Sequence, residues 1–349
     1  VSISMSTAYD RVHDGAVKAT LPPLEELLSS AHVVTLPLAT RFRGIEVREA
    51  MLFDGPEGWT EFSPFLEYGD AEAATWLSAA IDFGWMPQPT ARRGTVGVNA
   101  TVPAVPAASV GEVLARFDGC RTAKVKVAER GQTLADDIAR VRAVREVMGI
   151  EGRVRIDANG GWNVDEAEHA IHALADCDLE YVEQPCASVP ELVELRRRVK
   201  FHGIPIAADE SVRKAEDPLA VARAGAADIL IVKVQPLGGV SRALDIVARA
   251  GLPAVVSSAL DTSVGLSMGA ALAAALPTLD YDCGLGTASL LLADVTEQPL
   301  RPRAGAISTA RVAADESALS HNAAPSDRYN WWVMRLTRCY EVLSASVER

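Results

Sequence analysis

The chain has 349 residues, 49% of them hydrophobic, with 34 Lys and Arg against 46 Asp and Glu for a formal charge of −12. Length and apolar content allow one barrel-sized core plus a smaller domain, and the acidic balance argues against nonspecific binding to nucleic acid or an anionic membrane. The five cysteines, Cys120, Cys177, Cys186, Cys283 and Cys339, are odd in number and lack CxxC spacing, which disfavours a disulfide framework and makes a reducing cytoplasm the expected home.

The opening VSISMSTAYDRVHDG lacks the basic-then-apolar order of a signal peptide, so export is not expected. Residues up to about 95 contain HVVTLPL, GIEVREAMLFDG and GWTEFSPF, which read as an antiparallel meander, followed by a helix from Asp70 to about Phe83. This predicts an α+β capping domain over residues 1–95.

From Val96 onward, GVNATVP, AKVKVAE, RVRIDANG, LEYVEQP, IPIAADES, DILIVKVQP, LPAVVSSAL and LDYDCGL alternate with helical patterns. The helices are expected at Asp136 to Met148, Asp165 to Ala175, Val189 to Val199, Pro218 to Ala224 and Ser241 to Ala250. Eight such units predict an α/β fold, a TIM barrel of (β/α)7β type over residues 96–290. An open doubly wound sheet is the rival, but no GxGxxG or GxxxxGK[ST] turn occurs to support it. The alanine-rich stretch Val264 to Leu276 is too short and too glycine-interrupted for a membrane span. Residues 291–349 end in YNWWVMRLTRCYEVLSA, an amphipathic helical pattern expected to pack on the body or on a partner subunit.

Asp157, Glu183 and Asp209 follow one another at intervals of 26 residues, each near the end of a strand-like run. Equivalent positions on successive βα units recur at about 25 to 35 residues, so the three acids are expected to meet in space. A lone carboxylate at a strand end is usually solvated or caps a helix. Three in register, with lysines on both sides, reverse that expectation.

Side chains two apart on a strand share a face, so Lys124 and Lys126 point together, as do Arg155, Asp157 and Asn159, while Lys233 faces them from the sixth strand. An oxygen-only trio suits Mg²⁺, or Mn²⁺ in its place, better than Zn²⁺. Such a site serves abstraction of a proton α to a carboxylate: the cation stabilises the enediolate, and a lysine takes the proton. Lysine titrates near ~10.4 when free, and a second ammonium two residues away would lower it, which makes Lys124 a tuner of Lys126.

Other polar groups leave alternatives open. Ser257 and Ser258, with Thr262 and Ser263, either bind a substrate carboxylate or cap the helix that follows. Gly284 either lets backbone approach the substrate or serves the turn alone, and Arg155 either touches the site or forms a salt bridge beside it. The double glycine at Gly238 and Gly239 reads as a tight turn rather than a phosphate cradle. AADES recurs at Ala313 to Ser317 without a preceding strand, so that copy is expected to be structural or to start a helix. His169, His172 and His202 fall outside the constellation.

KVK at 124–126, the trio Asp157, Glu183 and Asp209, and KVQPLGG from Lys233 together resemble the enolase superfamily, in its muconate-lactonizing subgroup. Asn159, Gln184, Pro185, Glu210 and Ser211 extend the likeness. Within the subgroup, TAKVKVAERGQ, YVEQPC, SSALDTSVGL and CGLGT look most like the branch that dehydrates a cyclohexadiene carboxylate to an aromatic acid in menaquinone biosynthesis.

That resemblance implies Lys126 as base and then acid of a syn elimination, Lys233 as electrostatic partner, and a small-molecule carboxylate substrate. It also implies a specificity loop near Leu36 to Gly44, bringing in Arg43. Racemization of N-acylamino acids, epimerization of dipeptides and cycloisomerization use the same residues. A noncatalytic binding protein would have no need of a base paired to a metal.

Overall fold

The computed structural model describes residues 21–213 and 217–347; the opening segment read above for an export signal lies outside the described residues. The first elements lie in the segment read as a cap. After a helix at Leu24–Ser29 come β1 (Ala31–Phe42), β2 (Ile45–Gly55) and β3 (Gly58–Phe62), an antiparallel sheet, then a helix at Asp70–Trp85. Arg43 and Gly44 both take positive φ, 49° and 79°, in the two-residue turn that pairs Phe42 with Ile45.

Both faces of this sheet are covered, which explains its nearly continuous apolar runs. Val33, Met51, Phe53 and Phe62 enter a core with Trp76 and Leu77 of the cap helix. Val34, Leu36, Leu38, Ala50 and Leu52 join the barrel core.

β4 (Thr95–Gly97) leads into the barrel, whose parallel strands are β5 (Ala100–Val102), β6 (Thr122–Lys126), β7 (Arg153–Asp157), β8 (Leu179–Glu183), β9 (Ile206–Ala208), β10 (Ile229–Val232) and β11 (Ala254–Val256). The eighth strand expected in LDYDCGL is reduced to two single bridges, Val98 to Cys283 and Ser257 to Gly284, which close the barrel. Gly284 sits so tightly on Ser257 that a Cβ there would lie 2.4 Å from its Oγ, which keeps that position for glycine. Beyond it, β12 (Ala306–Ser308) runs antiparallel to β4.

Outward residues such as Val125, Val154, Ile156, Val182, Leu230 and Val256 bury against the helices. Inward, Tyr181, Ala207, Ile229, Ile231 and Val255 form an apolar plug. The interior below the strand ends is packed, and chemistry is confined to the rim.

Helices Leu134–Met148, Val164–Ala173 and Val189–Val199 each begin with a capping box, at Thr133 with Asp136, Asn163 with Glu166, and Ser188 with Glu191. These starts end the βα loops sharply after β6, β7 and β8. Helices at Ala220–Ala224 and Val240–Ala250 follow close to expectation, and Glu316–His321 starts within the second AADES.

The last helix, Ser326–Val347, packs Trp332, Leu336 and Cys339 into the cap core. Trp332 meets Phe62 edge-on, with ring centroids 5.7 Å apart. Among the described residues no helix is long and apolar enough to cross a membrane.

Candidate active site

Strand pairing sets the acids side by side. Lys126 pairs with Asp157, Asp157 with Glu183, and Glu183 with Ala207, two residues before Asp209. All three carboxylates are at most 1% exposed. Asp209 lies past the end of β9, at the start of the short helix Glu210–Arg213. The Gln184 carboxamide splints this turn: its Oε1 accepts from the backbone N–H of Asp209 at 2.9 Å and of Ser211 at 3.1 Å, and its Nε2 donates to Ser211 Oγ.

The lysines reach the same carboxylates. Lys126 Nζ donates to Asp157 Oδ2 at 2.5 Å, Lys124 Nζ to Glu183 Oε1 at 2.9 Å with Asp157 3.3 Å away, and Lys233 Nζ to Asp209 Oδ2 at 2.6 Å. The expected meeting of the acids is therefore partial: ammonium groups lie against each of them. Among the described residues no three His, Cys, Asp or Glu side chains are gathered to hold a metal ion. The donor chemistry nevertheless fits a hard divalent cation, because the three acids are buried carboxylates at or just past neighbouring strand ends.

Burial lowers Lys126 and the nearby Lys124 charge lowers it further, against the pull of Asp157. Burial also opposes the Lys124 charge, but the Glu183 and Asp157 carboxylates outweigh it and hold Lys124 above the usual lysine range. Glu183 is pushed up to about 7 by burial and by Asp157, while Asp157 is held well below the usual carboxylate range, burial notwithstanding, by Lys126 and Lys124.

One small cavity of about 30 Å³ touches Arg43, Lys124, Lys126, Asn159, Lys233, Ser257, Ser258 and Gly284. It has room for roughly one water. A wider groove of about 480 Å³ adjoins it, sharing Phe42, Arg43, Lys126 and Asn159. Asn159 holds φ +49° and accepts from Lys126 Nζ at 2.6 Å through its Oδ1. Ser258 Oγ donates to the Gly284 carbonyl at 2.8 Å and lies 2.9 Å from Thr287 Oγ1.

The alternatives left open by the sequence divide cleanly. Thr262 Oγ1 accepts from Val264 N–H and caps the helix Ser263–Ala275, whose N-terminus already holds an anion, Glu61 of the cap, through Thr262 N–H and Gly265 N–H. Ser263 Oγ donates to Asp294. Arg155 points away from the cavity, to Tyr181 Oη at 2.9 Å and Glu180 at 2.7 Å.

The enolase C-terminal domain-like family matches residues 107–313, and the enolase N-terminal domain-like family matches residues 33–84. An o-succinylbenzoate synthase of Mycobacterium tuberculosis is 58% identical over 93% of this chain and 98% of its own length. One of Mycobacterium marinum is 56% identical over 93% and 97%. The chain belongs to the o-succinylbenzoate synthase family of the enolase superfamily.

Solved structures agree on the fold. A muconate lactonizing enzyme from Pseudomonas putida superposes with a TM-score of 0.70 at 21% identity, covering 84% of this chain and 98% of that one. The L-Ala-D/L-Glu epimerase from Bacillus subtilis gives 0.69 at 22%, covering 81% and 96%. Enzymes of this superfamily use a divalent metal ion.

Around the cavity of this family member, sequence reasoning missed Phe65, Thr101, Arg213, Leu260 and Thr287, and took in Phe42 only as part of the loop Leu36 to Gly44. Phe42 and Phe65 come from the cap, with Phe65 between the guanidinium groups of Arg43 and Arg48 at 4.4 and 4.6 Å. Thr101 carried a usable signal, since it pairs with Lys124 across the strands.

Proposed function

We propose that this site carries out the reaction of its family: syn loss of water from 2-succinyl-6-hydroxy-2,4-cyclohexadiene-1-carboxylate to give 2-succinylbenzoate, in menaquinone biosynthesis. The chain is a carbon–oxygen lyase. The observation that carries the assignment of roles is that Lys126 and Lys233 line one cavity, with three buried carboxylates on adjoining strand ends.

Asp157, Glu183 and Asp209 would hold Mg²⁺, or Mn²⁺ in its place, and the bound cation would stabilise the negative charge that grows on the substrate carboxylate. Lys126, as neutral amine, takes the α proton, and the C–H electron pair moves into the carboxylate group. Its ammonium then returns that proton to the departing hydroxyl, so water leaves and the ring becomes aromatic. Lys124 keeps its own proton between Glu183 and Asp157 and helps Lys126 release its own. Lys233 stabilises the anionic intermediate by its charge. Arg43, Asn159, Ser257, Ser258 and the Gly284 backbone contact the substrate.

Purified protein with Mg²⁺ is expected to convert the cyclohexadiene acid, to lose turnover on chelation, and to fall about 10³-fold in kcat on Lys126→Ala with substrate affinity roughly kept. Absence of turnover by the loaded wild type would sink the dehydratase reading. The two lysines also suit 1,1-proton transfer on an N-acylamino acid or dipeptide, which solvent deuterium entering the α position would reveal.

A further inference from the structure

We propose that Arg213 is a positioning residue that ties the seating of the cap to both site lysines. This rests on the reading of Lys126 and Lys233 as the catalytic pair. Arg213 closes the short helix after Asp209 and is 7% exposed. Its three nitrogens point to three different partners. Nε donates to Asp209 Oδ1 at 3.1 Å, Nη2 to Glu210 Oε1 at 2.7 Å, and Nη1 to Tyr68 Oη of the cap at 3.0 Å.

Two of these arms continue to the lysines. The other oxygen of Asp209 accepts from Lys233. Glu210 Oε1 also accepts from Asn159 Nδ2 at 3.2 Å, and Asn159 Oδ1 accepts from Lys126 Nζ at 2.6 Å. One guanidinium thus stands behind the amines on both walls of the cavity.

The third arm ends on a rigid part of the cap. Arg335 of the last helix, 1% exposed, donates from Nη2 to the backbone carbonyls of Phe65 at 3.0 Å and Tyr68 at 2.7 Å. The Tyr68 ring packs on Phe65 and Trp76, with centroids 5.7 and 6.0 Å away. The position of Tyr68 Oη is therefore set by the cap core, and a planar fork is the side chain able to relay it in fixed geometry to two carboxylates. A simple turn-stabilising ion pair would need neither Tyr68 nor the route to Lys126. Displacement of a reacting group by ~1 Å costs up to about 10²-fold in rate, so small changes at this junction should register in kcat.

The test compares Tyr68→Phe, Arg213→Lys and the double variant in the Mg²⁺-loaded enzyme, reading kcat, KM, Tm and the affinity for Mn²⁺ by electron paramagnetic resonance. Tyr68→Phe is expected to lower kcat about tenfold with KM within about twofold and Tm nearly unchanged. Arg213→Lys is expected to lower kcat about 10²-fold and to weaken Mn²⁺ binding, and the double variant to be no slower than Arg213→Lys, because Tyr68 acts through that arginine. Wild-type kcat in Tyr68→Phe, losses that multiply in the double variant, or losses that follow Tm alone would overturn the proposal. Full turnover in Lys126→Ala would instead remove the reading of the lysines, and Mn²⁺ affinity would still decide whether Arg213 positions Asp209.

Discussion

Asp261 shows how a single buried acid sets a pH dependence that the chemistry does not need. It lies beside Glu61 and Arg48 under the cap, its Oδ1 has no hydrogen-bond partner, and burial followed by the Glu61 charge pushes it from 3.8 up to about 7. Arg48 Nε donates to the Leu260 carbonyl at 3.1 Å, so this cluster also holds the loop that lines the cavity. An acid with a higher pKa folded than unfolded binds its proton more tightly in the folded state. Its ionisation therefore erodes stability as pH rises from about 4 through about 7, and the erosion is complete above that. Asp261→Asn mimics the protonated acid. Thermal melts should show it raising Tm by more than ~2 °C at pH 8 and by only a fraction of that at pH 5. An equal effect at both values would mean that Asp261 does not titrate in this range.

At the scale of elements, the turn between β10 and the helix Val240–Ala250 joins barrel to cap. Gly239 has φ +129°, and a Cβ there would lie 2.7 Å from Asp82 Oδ2, the oxygen that accepts from Val240 N–H at 3.0 Å. The turn read as conformational thus receives a carboxylate from the cap helix. Gly239→Ala is expected to cost about 2–4 kcal/mol in urea unfolding, through strain plus loss of that helix cap, and an unchanged midpoint would contradict it. The same contrast between local and distant causes decides what could be read from sequence. Lys124, Lys126, Asp157 and Glu183 were legible because strand parity and capping-box starts are local. Phe65, and Tyr68 as the partner of Arg213, are not, since their places depend on how the cap lands on the rim. LDYDCGL has strand-like residues, yet it pairs only through the bridges at Cys283 and Gly284.

For the whole molecule, the formal charge of −12 should repel a dicarboxylate, while the groove beside the cavity carries Arg41, Arg43, Lys126 and Arg130 against Glu129 alone. Fields of exposed charges fade within ~8 to 10 Å at ordinary salt, so an approaching substrate should feel the groove more than the distant surface. We expect kcat/KM to fall as KCl rises, and Arg41→Gln combined with Arg130→Gln to flatten that slope without changing kcat. A rise with salt would show that the global charge dominates. The closure of the barrel has another consequence, in the order of events during synthesis. Its first and last segments meet at the bridge of Val98 to Cys283, where Asn99 N–H donates to the Cys283 carbonyl at 2.9 Å and Cys283 N–H to the Gly97 carbonyl at 2.8 Å, and the seam is backed by β12, with Val98 N–H donating to the Gly305 carbonyl at 2.9 Å. Contacts so distant in sequence form after local ones. On the ribosome, the seven paired strands are expected to stay an open, curled sheet until Cys283 and Gly284 have emerged, with β12 backing the seam once residue 308 follows.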